Sequence, residues 1–584
     1  MSSRLAILFA TSLIAVGWFI NPPQLRAQDE QRSTLIEISG VESSIKQNIE
    51  SHLSIEQGKL PLSPLGFPRS NEYIKRKTVS ALRALGYYQP KIELSGNHSQ
   101  WQLNIAAGPP IRWLAPNIRV SGSLQPLPAF QKLLKQQPFA VSTPMNHGVY
   151  SEFKSKLQSF AEEYGFLDAK FDLSELTIDE KALTAQVNWH FNSGQRYTLT
   201  DVKYEGSHLS SSFLSGFQSV QSGQFYQQDS LLKTQQNLNQ SGYFRMVNID
   251  RIIDTEKKTV SLLFNLVDME RYELKTSLGY GTDSGSKFGV NWLDRQVNQI
   301  GHKYSLGLEL NQLESSVSGQ YRIPLDKATD EWLNRVSYKI RDDRLAKTTL
   351  ATYESIVLFK LSDHWNSQYA LTTAFEEVRE NENIQSHISY LVPSAQLDYY
   401  SVTNPFQADN GWRWQQIYRF GHQSLSSPGF NFIQTEQKLK KIWSITEDWR
   451  FMLRTQIGYT SMDDQDFVRL MPTSYRFFAG GDISVRGYDF QSLGPTDADS
   501  KLIGGKHLLT TTAELDWRFT DNFRWAIFYD HGNAFNDWKN PELKSSAGTG
   551  LRWITPFGSF RIDYARSLDH PNEWRWHVTI GPDL

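Results

Sequence analysis

The sequence predicts a chain in two parts: three small α+β repeats, then an all-β barrel of about 16 antiparallel strands that closes inside a bilayer. Three observations predict it. A strand-plus-glycine signature returns at intervals near 80 residues in the first half. After about Tyr272 the hydrophobic period switches from mixed to a strict alternation of two. Aromatic residues reach 13% of the 584, with 17 Trp, 25 Tyr and 33 Phe, in a chain that has no long apolar helix pattern.

The chain opens with Arg4 ahead of the 16-residue apolar run Leu5–Ile20, closed by Pro22-Pro23. That run is short for a spanning helix and has the order of an export signal, assigned to residues 1–27, with an uncleaved anchor helix as the alternative. The near balance of 60 Lys+Arg against 62 Asp+Glu argues against a basic nucleic-acid-binding surface. Zero Cys excludes disulfides, thiolate metal sites and cysteine nucleophiles.

The repeat is read from Leu35-Ile36-Glu37-Ile38-Ser39-Gly40, Ile118-Arg119-Val120-Ser121-Gly122 and Val202-Lys203-Tyr204-Glu205-Gly206, whose glycines lie 82 and 84 residues apart. Downstream of each, a helical stretch ends at Gly86, Gly165 or Gly242, where a residue without Cβ suits a helix C-terminus. In the second copy Tyr150, Phe153, Leu157, Phe160 and Tyr164 share one helical face. Alternating strands such as Trp101–Ile105 and Val260–Phe264 close the units, giving the order β-α-α-β-β.

From Tyr272 the strands alternate. Tyr272, Leu274, Thr276, Leu278 and Tyr280 oppose Glu273, Lys275, Ser277 and Gly279; Leu509 to Phe519 oppose Thr510, Thr512, Glu514, Asp516 and Arg518; Trp574, Trp576, Val578 and Ile580 oppose Arg575, His577 and Thr579. Segments of roughly 9–11 residues suit tilted strands crossing a bilayer, where a sheet must close so that every backbone group pairs. A soluble β-sandwich array is the alternative. It gives no reason for this many outward aromatics.

The glycine-rich stretch Phe477-Phe478-Ala479-Gly480-Gly481-Asp482-Ile483-Ser484-Val485-Arg486-Gly487-Tyr488 reads as a structured loop. Withdrawn from water, Arg486 needs a carboxylate, and alternation turns Glu514 and Asp530 toward the lumen. A solvated arginine in a surface turn is the plainer alternative. No phosphate-binding loop, H-E-x-x-H or G-x-S-x-G occurs, and neither His531 nor His570 has a second histidine at ligand spacing, so no enzyme, cofactor or metal site is expected.

Val485-Arg486-Gly487-Tyr488, with Phe478-Ala479-Gly480-Gly481 ahead of it, resembles the sixth extracellular loop of the BamA/TamA superfamily of outer-membrane barrels. Phe528-Tyr529-Asp530-His531-Gly532 is similar to that superfamily's F-x-D-x-G strand motif, and Gly548-Thr549-Gly550 to the strand after it. The upstream units resemble polypeptide-transport-associated (POTRA) domains, giving units at 33–108, 109–192 and 193–268 and a barrel at 269–584.

The resemblance implies that Arg486 locks into the barrel against Asp530 or Glu514, the choice between the two being left open. It implies a weak lateral seam between the first strand (Tyr272, Leu274, Thr276) and the last (Trp576, Val578, Ile580), placing Thr276 and Val578 across it as a crosslinking pair. It further implies an outer-membrane location with periplasmic POTRA units, assembly of clients such as autotransporters, contact with outer-membrane lipid, and an inner-membrane-anchored TamB-like partner. Two-partner secretion of an unfolded exoprotein through the lumen is the competing function; a barrel-embedded hydrolase or a passive porin is a third class.

Overall fold

The computed structural model describes residues 34–62, 69–97, 100–283, 285–342, 346–380, 383–402, 408–498, 500–555, 558–570 and 574–581, the side chains of 380, 383–385 and 558 aside. The export signal at 1–27 lies outside them, as does Asn404-Pro405-Phe406, which the sequence reads as a turn. The chain forms two compact units. One holds the residues up to Thr200 with Ser222–Asp229 and Ile253–Val260; the other holds Asp201–Gln221, Ser230–Ile252 and everything from Ser261 on.

The repeats have the expected order with small additions. The first runs as strand Thr34–Ser39, helix Ser43–Leu53, helix Asn71–Ala84 and strands Lys91–Asn97 and Gln100–Ala106, with a two-residue strand, Lys59–Leu60, between its helices. Its opening strand lies parallel to its closing one, Ile36 opposite Trp101 and Ile38 opposite Leu103. The second repeat copies this, with Ile118 opposite Trp189 and Val120 opposite Phe191. The parallel pairing explains the recurring glycine. Gly40, Gly122 and Gly206 all have φ between 82° and 92°, and a Cβ on them would come within 2.4 Å of Ile105 O, Ser193 Oγ or Leu266 O. Only glycine fits a left-handed turn pressed on the closing strand.

The helix His147–Glu163 is capped by Asn146, whose Oδ1 accepts from Gly148 N at 2.7 Å. It buries Phe153, Leu157 and Ala161 around Trp189 and Phe191.

From Tyr272 a single antiparallel sheet of 16 long strands runs to Gly581, with a two-residue strand, Ser426–Ser427, beside it. Every neighbouring pair is laddered, so the sheet curls into a nearly closed barrel, as backbone in hydrocarbon requires. Alternation sorts the faces. Along Phe523–Phe535, Arg524, Ala526, Phe528 and Asp530 are buried while Trp525, Ile527 and Tyr529 are exposed. Tyr338, Tyr353, Tyr369, Phe375, Tyr418, Trp517 and Trp553 are outward in the same way.

Strand length departs from the expectation in one hairpin. Trp365–Glu380 and Asn383–Tyr400 are 16 and 18 residues long, well beyond the expected 9–11. At about 3.3 Å per residue this hairpin outruns the hydrocarbon layer. Its far half is stabilised by a cap in which Ile388, Tyr390 and Val392 pack with Phe430, Phe432, Phe467 and Met471.

The third repeat is fastened to the barrel turns that follow it. Lys303 Nζ donates to Ser241 O at 2.7 Å and sits 3.8 Å from the Tyr243 ring centre. Tyr243 donates its hydroxyl to Gly301 O, and Ala328 N donates to Gly216 O at 3.1 Å. A Cβ on Gly301 would fall 2.3 Å from the Phe213 ring, so the turn accepts only glycine there.

Candidate functional site

Within the long segment between Ser461 and His507, the stretch from Phe477 to Leu493 folds back against the inner face of the wall. It is braced as a loop by paired backbone bonds, Phe477 with Gly505 and Ala479 with Leu493, and by an apolar knot of Phe477, Ala479, Val485, Tyr488 and Leu493 against Leu508 and Ala534. Gly480, Gly481 and Gly487 take φ of 101°, 99° and 92°, which lets the chain reverse tightly enough to deliver Arg486 to the wall.

Arg486 is 4% exposed and held by three carboxylates. Its Nε and Nη2 grip Asp530 at 2.8 and 3.0 Å, a two-pronged contact, and its backbone N donates to the same carboxylate at 3.0 Å. Nη1 donates to Glu514 at 3.0 Å and to Asp563 at 2.9 Å. Sequence reasoning left Asp530 and Glu514 as alternatives; the structure uses both. It missed Asp563 and also Arg552, which binds Asp563 at 2.5 Å and Glu514 at 3.0 Å. The alternation of Ser559, Arg561, Asp563 and Ala565 against Phe560, Ile562 and Tyr564 carried the signal for Asp563. Glu514, Asp530, Arg552 and Asp563 come from four consecutive strands, so the network ties that wall together through one loop residue.

The strand motifs make room for this lock. The Arg486 guanidinium lies 3.3 Å from the centre of the Phe528 ring. That ring occupies the space above Gly548, where a Cβ would meet it at 2.4 Å. A Cβ on Gly550 would sit 1.9 Å from Asp563 Oδ1 and 2.6 Å from Arg552 Nη1. At Gly532 it would strike Leu509 O at 2.4 Å, a limit set by the neighbouring strand. Tyr488 donates to Asp569 at 2.6 Å and accepts from Ser567 at 2.8 Å.

The same loop bridges the two ends of the sheet. Gly487 N donates to His577 Nε2 at 3.1 Å, which leaves the proton on Nδ1, aimed at Asp482 at 2.5 Å. Arg575, also on the last strand, pairs with Asp489. Across the gap, Thr282 Oγ1 donates to Asp482 at 3.0 Å, and Asp482 N donates to Asp283 at 2.7 Å. Asp283, Asp482 and His577 are the one group among the described residues with metal-ligand atoms in mutual reach, within 4.8 Å. Both imidazole nitrogens are already engaged, and the group acts as a hydrogen-bonded latch. Burial, with the charges of Asp482 and Asp489 nearby, pushes the Asp283 carboxyl up to about 6.

Among the described residues no backbone ladder joins Tyr272–Gly281 to Trp574–Gly581. Val578 N instead donates to the side chain of Thr282 at 3.2 Å. This corrects the expected seam pairing of Thr276 with Val578. The described last strand, Trp574–Gly581, lies beside the far end of the first, so Thr276 lies six residues, roughly 20 Å, from the Val578 position. Tyr272, Leu274 and Thr276 thus belong to a lower edge that the described part of the last strand does not cover. Leu278 at 85% exposed, Trp576 at 61% and Ile580 at 60% flank the overlap on the outer face.

Comparison with known proteins adds the family. The Omp85 superfamily domain matches residues 270–583, more than half of the chain. This chain belongs to the Omp85 superfamily. Within that superfamily its first repeat matches the description "POTRA domain TamA domain 1" over 35–107, and residues 197–268 match the POTRA description "Surface antigen variable number repeat". Outer membrane protein assembly factor BamA of Nitratidesulfovibrio vulgaris is 23% identical over 61% of this chain and 47% of its own length; that of Neorickettsia risticii is 21% identical over 65% and 54%. The chain spans about half the length of the curated relatives it matches. Among solved structures, BamA from Haemophilus ducreyi lacking POTRA domains 1–3 superposes with a TM-score of 0.64 at 16% identity, over 80% of this chain and 99% of that one, a likeness of fold.

Proposed function

We propose that this Omp85 chain is a TamA-like subunit of a translocation and assembly module. It sits in the outer membrane with its POTRA units in the periplasm, and it helps barrel proteins such as autotransporters to insert through the lateral seam. The observation that carries this reading is the seam: two strand ends without a ladder, bridged by the loop that Arg486 anchors. A client strand adds to the open edge through backbone hydrogen bonds, β-augmentation, and the loop contacts at Asp482 and Asp489 give way as it enters.

The TamA-type first repeat and the assembly-factor relatives support this reading. The protein works without catalysis or nucleotide, driven by the folding free energy of the client, with a TamB-like inner-membrane-anchored partner delivering substrate.

Two-partner secretion makes the opposite demand, passage through the lumen with the seam shut. Cysteines replacing Thr282 and Val578, joined by a short thiol crosslinker in a chain with no other cysteine, separate the two. Crosslinked protein reconstituted in liposomes is expected to lose client insertion and to regain it on cleavage of the linker. Full insertion with the seam crosslinked overturns the proposal.

A further inference from the structure

Two crossed ion pairs hold the base of the first barrel hairpin. Arg271 precedes the strand Tyr272–Gly281 and grips Asp294, the last residue of the strand Gly285–Asp294, with Nε and Nη2 at 3.0 and 2.9 Å. Arg295 follows that second strand and pairs back with Glu273 at 2.6 Å. Tyr272 stands opposite Asp294 in the ladder, so both pairs lie at the same level. They differ in what else they touch. Arg271 is half in solvent, whereas the Arg295 side chain is 14% exposed and has a second acceptor: its Nη1 donates to Gly242 O at 3.3 Å.

Gly242 belongs to the third repeat, just past the helix Gln228–Gln240. Carbonyls at a helix C-terminus carry the negative end of its dipole and lack partners within the helix. Two barrel cations supply them here, Lys303 at Ser241 O and Arg295 at Gly242 O. Lys275 also reaches Glu273, at 3.3 Å, but from the same strand, so it adds charge without joining elements. Arg295 alone of these side chains touches both the helix end and the first strand, whose other edge is the seam.

We propose that Arg295 is the positioning residue through which the third repeat sets the first barrel strand. Its consequence for client entry, regulation of the seam from the periplasmic side, rests on the seam reading above. The linkage itself rests on the distances. An arginine suits it because a planar guanidinium offers separate N–H groups to two acceptors at once, while a lysine ammonium here would keep the Glu273 pair and lose the carbonyl.

The test measures whether loosening the third repeat moves the first strand. Spin labels replace Leu274 and Val336, both exposed on the outer face. The ladders run Leu274–Trp292–Leu306–Gly319–Val336, so the labels lie four strand spacings, about 19 Å, apart along the wall. The full chain is reconstituted in liposomes, and Gly301→Val serves to loosen the joint between repeat and barrel.

With Arg295 present, Gly301→Val is expected to broaden the Leu274–Val336 distribution by at least half a strand spacing, about 2.4 Å. In an Arg295→Lys background the same change should broaden it by less than half as much, a non-additive pair of substitutions. Glu273→Ala cuts the other end of the link and should give the same insensitivity, which keeps the comparison available if one background does not fold. Heat-modifiable migration checks folding in each.

An unchanged distribution in Gly301→Val, or equal broadening with and without Arg295, overturns the proposal. Loss of insertion on crosslinking Thr282 to Val578 bears on client entry alone, so the two readings fail separately.

Discussion

At the scale of single residues, the molecule turns on one arginine brought to three carboxylates. Removing one member of a buried ion network leaves the others uncompensated, at about 3–5 kcal/mol. Arg486→Ala is therefore expected to release the loop and impair assembly while the barrel still forms, read by heat-modifiable migration beside reconstituted client insertion. Arg486→Lys keeps the charge, forfeits the two-pronged grip on Asp530, and should fall between. Gly550→Ala should act as a milder lock mutation, because its methyl displaces Asp563 and Arg552.

The latch carries a pH dependence whose sign follows from Asp283. Its carboxyl is raised to about 6, so the anion is the disfavoured form in the folded latch. The stabilisation is fully present below the ordinary carboxyl value of about 4 and is lost as pH rises through about 6. A spin label at the exposed Ile483 should become more mobile between pH 5 and 7.5, and Asp283→Asn should flatten that change.

Legibility at this scale was uneven. Arg486, Glu514 and Asp530 follow from a loop motif and strand parity. Asp563, Arg552 and the His577–Asp482 pair do not, because which inward residues of different strands share a level depends on strand stagger, which parity alone leaves open.

At the scale of elements, period decides most of what is readable. Alternation fixed which residues face lipid, and the repeated glycines fixed the three α+β units, because one positive-φ turn pressed on a closing strand tolerates nothing larger. Strand length was not readable in the hairpin Trp365–Tyr400, where alternation continues above the bilayer against an apolar cap.

The attachment of the third repeat to the barrel also lay outside any motif. It depends on a lysine over a tyrosine ring and a glycine beneath a phenylalanine. Gly301→Val is expected to displace Phe213 and loosen this joint. Distances between spin labels on the helix Gln228–Gln240 (at Gln236, say) and the strand Glu331–Asp342 should broaden, with barrel migration unchanged.

At the scale of the whole molecule, a bilayer demands a closed sheet, and the proposed client entry demands an opening. Among the described residues the wall has 15 laddered interfaces and one junction maintained by side chains and a loop. Sequence alone located the junction by analogy and misplaced its register, because the stagger between first and last strands is set by closure of the entire barrel rather than by either strand.

The most direct test is a distance measurement. Spin labels at Thr282 and Val578 in the reconstituted full chain should give a short, narrow distribution at rest. With an unfolded barrel client present, a second population longer by at least one strand spacing, about 5 Å, is expected. A distribution unchanged by a client that is demonstrably inserting would contradict entry at this seam.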